Sequence, residues 1–272
     1  MEEINDEIIR TIKILSLEKD DSYSKIYMNS NEELYKIFKS FSVKDKKVLT
    51  VLSSSDQFFL CHYLGAKRVD SFDCNKICEY YFYLRKWLFK YKNYFFSLRS
   101  NAKINNKLIE EVLRLVDCSN LDEERAYNYW CSFIRKGLSI NELFFDDIYD
   151  DSLEKLISNM LVLKEIVESV NLNFRYQDIS ADIDKKRKYN IVILSNLLEY
   201  YSMDYEKLKR CRDNLYEILE DDGEVICTNM VKHYTSTFEK NIFKEKFGFN
   251  DFSFYRNDFS RNYPVGYSYI KK

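Results

Sequence analysis

The chain has 272 residues, 32% of them charged, and a formal net charge of -2, so it is long enough for one large domain or a domain with a substantial insertion. A chain so close to neutral argues against a large non-specific nucleic-acid surface, and no nucleic-acid partner is expected. No apolar run approaches membrane-spanning length, and the acidic start Met1-Glu2-Glu3 differs from a signal peptide, so we expect a cytoplasmic protein without a transmembrane segment.

The cysteine and histidine content predicts no metal centre. Seven cysteines are spread along the chain without a C-x-x-C pair, and we interpret them as reduced and mostly structural. Cys74 and Cys78 are spaced to share a helix face, but the chain holds only two histidines, His62 and His233. The ligand spacings typical of a zinc site are therefore absent. Five glycines and one proline leave few special backbone positions and point to a helix-rich chain.

The first 43 residues are predicted to form a helical segment ahead of the main domain, which we place at residues 44–272. Apolar side chains in residues 5–17 recur at helical spacing: Ile8, Ile9, Ile12 and Leu15. Ser30-Asn31-Glu32-Glu33 then supplies an N-cap signal ahead of a second, short helix.

Residues 48–73 are predicted to form a βαβ unit around which the rest of the chain is organised. The β-branched and aliphatic run of residues 48–52 is typical of a strand buried on both faces of a parallel sheet. A polar loop and a short apolar helix over residues 57–64 follow, and Gly65 ends that helix. A second strand ends on Asp73. Its carboxylate is expected at the carboxyl end of the strand, where open α/β sheets bind the ribose of nucleotide-like ligands.

The helix predicted from residue 75 to about residue 91 is rich in aromatic side chains on more than one face. One interpretation is that further helices cover it on several sides, because aromatic residues dominate cores where large areas are buried. The other is that some of the rings, Tyr80 and Tyr81 above all, line a ligand pocket. We favour the packing interpretation.

Residues 93–151 are predicted to be a helical insertion. About eighty residues without strand patterning separate the aromatic helix from the next strand, far more than a βαβ crossover needs. Three helical patterns occupy this gap, over residues 104–115, 126–134 and 153–167, and Gly137 ends the second. Only the third is needed to return the chain to the sheet. The insertion is either a lid or substrate wall, or a packing subdomain without a role in chemistry.

The remaining strands and helices alternate, as in a parallel sheet with crossover helices. Strands are predicted over residues 173–176, 189–194 and 224–228, and helices over residues 204–219, capped by Asp204, and 236–247. Asp221-Asp222-Gly223 is interpreted as a turn ahead of the fifth strand. Residues 252–255 and 265–270 alternate in polarity and suit an antiparallel pair at the sheet edge.

This order of elements resembles the class I S-adenosylmethionine-dependent methyltransferase fold over most of residues 44–270. The resemblance implies a Rossmann-like α/β fold with a mostly parallel sheet, an antiparallel C-terminal edge, and S-adenosylmethionine as the cofactor. More narrowly, three segments resemble motifs of the bacterial family similar to S-adenosylmethionine:diacylglycerol 3-amino-3-carboxypropyl transferases: Leu49-Thr50-Val51-Leu52-Ser53-Ser54-Ser55-Asp56-Gln57, Gly65-Ala66-Lys67 and Phe72-Asp73-Cys74-Asn75. Two further segments fit the same family: Tyr80-Tyr81-Phe82-Tyr83-Leu84-Arg85 and Leu194-Ser195-Asn196-Leu197-Leu198-Glu199-Tyr200.

The narrower resemblance implies roles for residues at several strand ends. The residues implied to bind the cofactor are Ser53, Ser54, Ser55 and Asp56 at its methionyl part, Asp73 at its ribose and Asp178 at its adenine, and Asn75 is a further cofactor-binding candidate. The residues implied to face the transferring group are Ser195, Asn196 and Glu199. Glu199, Asn196 and Tyr81 are the catalytic candidates.

Three of these assignments have alternatives that the sequence leaves open. Leu52 and Ser55 stand where the family usually has glycines, so the backbone approaches a ligand less freely and a left-handed turn is costly. Either a serine hydroxyl replaces a backbone contact, or the site is narrowed and degenerate. Glu199 is either a base for a protonated acceptor or a first-turn acid favoured by the helix dipole. Asp56 either binds the cofactor amine or merely begins a helix.

The resemblance implies an S-adenosylmethionine-dependent transferase that moves an aminocarboxypropyl or methyl group to a small-molecule or lipid-like acceptor. Bulky Leu52 and the three serines should displace the methionyl chain, so we expect aminocarboxypropyl transfer rather than methyl transfer. The alternative is a degenerate, non-enzymatic binding module that kept the fold. A nicotinamide-dependent oxidoreductase is disfavoured, since no G-x-G-x-x-G follows the first strand.

Overall fold

The structure is a computed structural model, and it describes residues 2–16, 26, 34–92, 104–144, 157–181, 183–195, 197, 204–228, 252–257 and 266–271. The chain divides into two compact units. Unit 1 comprises Met1–Asn31, Leu52–Asp56 and Cys74–Asn171, and unit 2 comprises Glu32–Val51, Gln57–Asp73 and Leu172–Lys272. The division predicted from the sequence, residues 1–43 and 44–272 with an insertion at 93–151, stays a prediction.

The described elements include five helices between the second and the third strand. In chain order they are α1 (Glu2–Ser16), α2 (Leu34–Ser40), β1 (Lys47–Val51), α3 (Asp56–Tyr63), β2 (Arg68–Asp73), α4 (Ile77–Lys92), α5 (Asn106–Leu113), α6 (Leu121–Arg135), α7 (Ile140–Leu143), α8 (Met160–Ser169), β3 (Phe174–Tyr176), β4 (Tyr189–Ser195), α9 (Tyr205–Ile218), β5 (Leu219–Thr228), β6 (Phe252–Asn257) and β7 (Gly266–Lys271).

The seven described strands form one sheet in unit 2, in the order β3-β2-β1-β4-β5-β7-β6. The strands β1 to β5 pair in parallel, whereas β7 pairs antiparallel with both β5 and β6. The order reverses at β1, because the chain first adds β2 and β3 on one side of β1 and then β4 and β5 on the other. The chain therefore has the Rossmann-like methyltransferase fold that the sequence predicts.

The strand β1 is central in the sheet because its sequence allows burial on both faces. Val48, Leu49 and Thr50 are at most 2% exposed, and Val48 pairs with a residue of β2 on one side and of β4 on the other. The Thr50 hydroxyl donates to the Gln57 side-chain oxygen over 2.9 Å, which ties β1 to the start of α3. At the end of that helix Gly65 has a φ of 84°, so its predicted role as the helix terminator is confirmed.

The helix α4 is the centre of unit 1. Every residue from Ile77 to Phe89 is buried, as the packing interpretation of this aromatic helix predicts. The ring of Tyr80 stacks on that of Tyr129 in α6 with 4.5 Å between centroids, and the Trp130 indole donates to the Tyr80 carbonyl over 2.8 Å. The helix α1 joins the same layer, since the hydroxyls of Thr11 and Tyr129 lie 3.1 Å apart.

One sequence prediction is corrected within the third helical pattern. Residues 157–159, which the pattern includes, are not helical; α8 starts at Met160, and the Asn159 side chain caps it by accepting hydrogen bonds from the Leu161 and Val162 amides over 3.0 and 3.3 Å. Residues 153–156 of that pattern and the helix predicted over residues 236–247 lie outside the described residues.

The predicted turn at residues 221–223 is instead a bulge within β5. This strand begins at Leu219, and its register against β4 shifts between Leu219 and Glu224. The shift is possible because Asp222 has a φ of 59° and because Gly223 lacks a side chain. A Cβ atom on Gly223 would lie 2.7 Å from the Glu220 carbonyl oxygen, closer than such atoms approach. The polar and glycine residues there predict an irregular backbone, but they do not distinguish a turn from a bulge.

A buried carboxylate in the middle of β2 joins three strand segments of unit 2. Asp70 is fully buried, and it accepts hydrogen bonds from the Arg68 guanidinium, from the Asn173 amide over 2.6 Å and from the Tyr189 hydroxyl over 2.7 Å. A nitrogen of the Arg187 guanidinium lies 3.4 Å away. Burial raises the pKa of Asp70, but the hydrogen bonds from Arg68 and Tyr189 and the charge of Arg187 lower it, and the net pKa lies below the usual value.

We expect Asp70→Ala to lower the free energy of unfolding by on the order of 3 kcal/mol, because it leaves the buried Tyr189 and Asn173 donors unsatisfied. Because the Asp70 pKa is lower in the folded protein than in the unfolded chain, its stabilisation is present above the usual aspartate pKa. It is lost as the pH falls through the folded value.

Chemical denaturation followed by circular dichroism at several pH values measures both effects. Asp70→Asn is the matched control, since it keeps the shape and removes the charge. It should therefore lose less stability than the wild-type protein between about pH 5 and pH 2. Equal acid sensitivity of the two proteins would contradict this account.

Candidate functional site

The carboxyl ends of the parallel strands in unit 2 bring together several residues singled out in the sequence. β1 ends at Val51, which lies one register position before the level of Asp73 at the end of β2. The Asp73 carbonyl accepts a hydrogen bond from the Gln177 amide over 3.0 Å, just beyond the end of β3. Asp73 is 9% exposed. The reversal of strand order at β1 makes this edge the position where open α/β sheets bind ligands.

Asp178 and Ser195 lie at the same edge, after β3 and at the end of β4. An Asp178 carboxylate oxygen accepts a hydrogen bond from the Ser180 amide over 2.8 Å, which fixes the turn that follows β3. Ser195 has a φ of 56°, in the left-handed region that L-residues rarely adopt, so the chain bends sharply as it leaves β4. Asn196 and Glu199, which the resemblance places after this strand, lie outside the described residues.

The loop that follows β1, residues 52–56, belongs to unit 1 and has an unusual backbone. Ser53 and Ser55 have φ values of 43° and 73°, and the Ser55 amide donates to the Leu52 carbonyl over 2.6 Å. The sequence predicts that left-handed conformations are costly here, yet the chain adopts two of them. Each costs about 1–2 kcal/mol for a residue other than glycine, so other contacts must hold this loop in place.

The Arg85 guanidinium of α4 makes the principal contacts to this loop within unit 1. One of its nitrogens donates to the Ser54 carbonyl, and another donates to an Asp56 carboxylate oxygen over 2.7 Å. The second Asp56 oxygen accepts from the Ser54 hydroxyl over 2.8 Å. The Arg85 and Asp56 side chains are 2% and 1% exposed, so the pair is buried. Both Asp56 oxygens are thus engaged, and Asp56 is also the first residue of α3.

The other predicted site residues of unit 1 have structural contacts. The Tyr81 ring packs edge-on against Phe144 with 5.2 Å between centroids, and the Arg85 guanidinium carbon lies 5.7 Å from its centre. The Asn75 side chain accepts from the Ile77 amide over 3.0 Å and caps α4. The Ser55 hydroxyl is buried and has no hydrogen-bond partner among the described residues. The cofactor and catalytic roles of these residues stay predictions.

The sequence motifs indicate no role for Arg85. A cation within a helix that is otherwise mostly aromatic and aliphatic does indicate a partner, because a buried cation requires one. That signal does not identify the partner, which lies 29 residues earlier in the chain.

Within the described part of the chain, no group of three or more histidine, cysteine or acidic side chains is arranged to hold a metal ion. The same residues contain no helix that is both long and apolar enough to span a membrane.

Comparisons with known proteins find similar solved structures only. No protein-family model and no curated protein matches the sequence. Among solved structures the chain is similar to the N-methyltransferase NodS from Bradyrhizobium japonicum WM9 in complex with S-adenosyl-L-homocysteine, with 7% identity, a TM-score of 0.41 and coverage of 96% of each chain. It is similar to a methyltransferase from Pyrococcus furiosus, with 9% identity, a TM-score of 0.43 and coverage of 100% of this chain and 99% of that chain. It is also similar to the glycopeptide N-methyltransferase MtfA complexed with the same product, with 8% identity, a TM-score of 0.44 and coverage of 96% and 97%. Likeness at this level says nothing about the acceptor or the reaction of this chain.

We expect Asp56→Ala to lower the free energy of unfolding of unit 1 by about 3–5 kcal/mol, because it leaves the Arg85 guanidinium buried without its carboxylate. Denaturation followed by the fluorescence of Trp87 and Trp130, both in unit 1, measures this loss.

Glu111→Ala is the matched control. Glu111 pairs with Lys92 over the same 2.7 Å, but the two side chains are 42% and 31% exposed, so its loss should cost far less. If the two substitutions destabilise the protein equally, the burial of the Arg85–Asp56 pair does not determine how much the pair contributes to the free energy of unfolding.

Proposed function

We propose that the protein is an S-adenosylmethionine-dependent transferase acting on a small-molecule or lipid-like acceptor. The observation that supports this proposal is the position of Asp73. Its carboxylate ends β2 at the carboxyl edge of a sheet in which the strand order reverses at β1. An acid at this point of an open α/β sheet is placed to accept hydrogen bonds from the two hydroxyls of a ribose.

The residues at the sheet edge suit the parts of such a cofactor. Asp73 offers acceptors only, which match the two donors of a ribose diol. Asp178 and Ser195 are the polar residues at the ends of β3 and β4, and we assign them to the adenine side and to the transferring group. We assign the hydroxyl of Ser55 to the methionyl part; this hydroxyl is buried and has no partner among the described residues, so it reaches a ligand only if the loop opens. We assign Asp56 to holding its own loop, since both of its oxygens are already engaged.

When bound, the sulfonium of S-adenosylmethionine supplies an activated carbon for transfer. The protein then has to orient the acceptor in line with that carbon and exclude competing water, and it needs a base only if the acceptor is protonated. We retain Glu199 as the candidate for that base and Asn196 and Tyr81 as candidates for orienting the acceptor.

The loop geometry favours methyl transfer over the aminocarboxypropyl transfer expected from the sequence. That expectation rests on bulky Leu52 and the three serines, which stand in place of a glycine-rich turn and should displace the methionyl chain. Ser53 and Ser55 nevertheless adopt the left-handed backbone conformations that glycine adopts freely, so the backbone of this loop is similar to such a turn. We propose that the transferred group is methyl.

One observation favours the second candidate function, a binding module that kept the fold and lost the reaction. Ser54, Ser55 and Asp56 are 2%, 0% and 2% exposed, so the side chains of the loop offer little surface to a ligand unless the loop opens. Ligand binding by the wild-type protein decides between the two functions.

We expect Asp73→Ala to weaken S-adenosylmethionine binding by roughly tenfold or more, because it removes two charge-assisted hydrogen bonds of the ribose. Isothermal titration calorimetry with S-adenosylmethionine and with S-adenosylhomocysteine measures the loss. Asp221→Ala is the control, since this exposed acid lies at the amino end of β5. Absence of binding to wild-type protein at millimolar ligand supports the module instead.

The nucleoside product identifies the transferred group. Wild-type protein incubated with S-adenosylmethionine and cell extract should accumulate S-adenosylhomocysteine, and the Asp73→Ala variant should not. Mass spectrometry separates this product from methylthioadenosine. Asp73-dependent methylthioadenosine would show aminocarboxypropyl transfer and contradict the methyl assignment.

A further inference from the structure

We propose that Arg85 is the positioning residue of the loop at residues 52–56 and substitutes for the glycines expected there. The inference rests on the proposed function, because it concerns the loop assigned to the methionyl part of the cofactor. Arg85 itself is not assigned any contact with the cofactor.

The backbone conformation of this loop is unfavourable in free energy. Ser53 and Ser55 have φ values of 43° and 73°, which glycine adopts freely and serine does not. Such conformations persist only where the surroundings over-determine them. A backbone hydrogen bond within the loop, from the Ser55 amide to the Leu52 carbonyl at 2.6 Å, closes one turn, and the Ser54 carbonyl accepts from a donor outside the loop.

The geometry of the Arg85 guanidinium allows it to hold the loop. Arg85 donates to the Ser54 carbonyl and to the Asp56 carboxylate with two different nitrogens, so one planar group contacts the backbone before Ser55 and the side chain after it. A lysine ammonium has no such fork and does not reproduce the pair of contacts. The Arg85 side chain is also positioned by an aromatic contact, since its guanidinium lies over the Tyr81 ring, which packs against Phe144.

Loss of the Arg85 guanidinium should release the loop. If the guanidinium holds Ser55 in its left-handed conformation, its loss lets the loop relax into conformations that no longer match a ligand. The apparent affinity then falls with the fraction of loops that stay competent. A glycine at position 55 adopts the same φ without strain, so it should restore the competent fraction when Arg85 is replaced.

Amide hydrogen exchange of the ligand-free protein tests the positioning directly. In Arg85→Lys we expect the Ser55 amide to exchange about tenfold faster than in the wild-type protein, because its hydrogen bond opens locally. The neighbouring buried cation Lys86 is the matched control. Its ammonium donates to the Val170 carbonyl over 3.1 Å and lies 3.8 Å from Glu123, so Lys86→Met removes a buried ion pair of unit 1 without touching the loop.

Titration with S-adenosylhomocysteine tests the consequence for binding. We expect Arg85→Lys to weaken the affinity by about tenfold, Ser55→Gly to leave it within a few-fold of wild type, and the double variant to recover most of the loss. Lys86→Met should lower the thermal stability and leave the affinity unchanged.

Two results would overturn the inference: no recovery in the double variant, or an equal loss of affinity in Lys86→Met. Recovery shows that the defect lies in the loop, because a general loss of folding is not repaired by a glycine at position 55. If wild-type protein binds neither S-adenosylmethionine nor S-adenosylhomocysteine, the proposed function fails. The exchange rate of the Ser55 amide then decides by itself whether Arg85 holds the loop.

Discussion

The buried carboxylate of Asp70 sets the register on which the sheet of unit 2 depends. Three strand segments converge on it, through Arg68 in β2, Asn173 just before β3, and Arg187 and Tyr189 at the start of β4. A slip of one residue in β2 would turn this charge to the opposite face of the sheet and leave its partners without an acceptor. The same register places Asp73 three residues later at the strand end, so the candidate ribose ligand and the buried charge are fixed together.

Unit 1 also contains a buried ion pair, but this pair contacts a loop rather than strands. In unit 2 the buried carboxylate accepts from arginines that are 40% exposed, and it joins strands that already share backbone hydrogen bonds. In unit 1 the Arg85–Asp56 pair is almost fully buried, and it holds a loop whose backbone is unfavourable by itself. In a chain with only five glycines, the left-handed turns of this loop are thus assigned to side-chain contacts. This makes the loop dependent on a residue remote in sequence.

The sequence predicts the fold well where local signals and the sheet agree. The aliphatic run of β1, the glycine after α3 and the Asp204 side chain, which accepts from the Lys207 amide over 3.0 Å, are all local features with one structural meaning. The Arg85 contacts and the left-handed serines could not be predicted in this way, because they depend on tertiary contacts between residues 29 positions apart. The sequence places Asp73, Asp178 and Ser195 at one sheet edge, but it says nothing about the contacts that hold the loop after β1.

The antiparallel edge of the sheet has a consequence for how the protein is made. β7 follows β6 in the chain, yet it lies between β6 and β5. A nascent chain that has left the ribosome only as far as β6 therefore has β5 with an unpaired edge, and β6 without its native neighbour. Either strand can pair with the wrong partner during that interval, since an open edge accepts any extended segment. Removal of β7 would make that state permanent, so a chain truncated before Gly266 should aggregate.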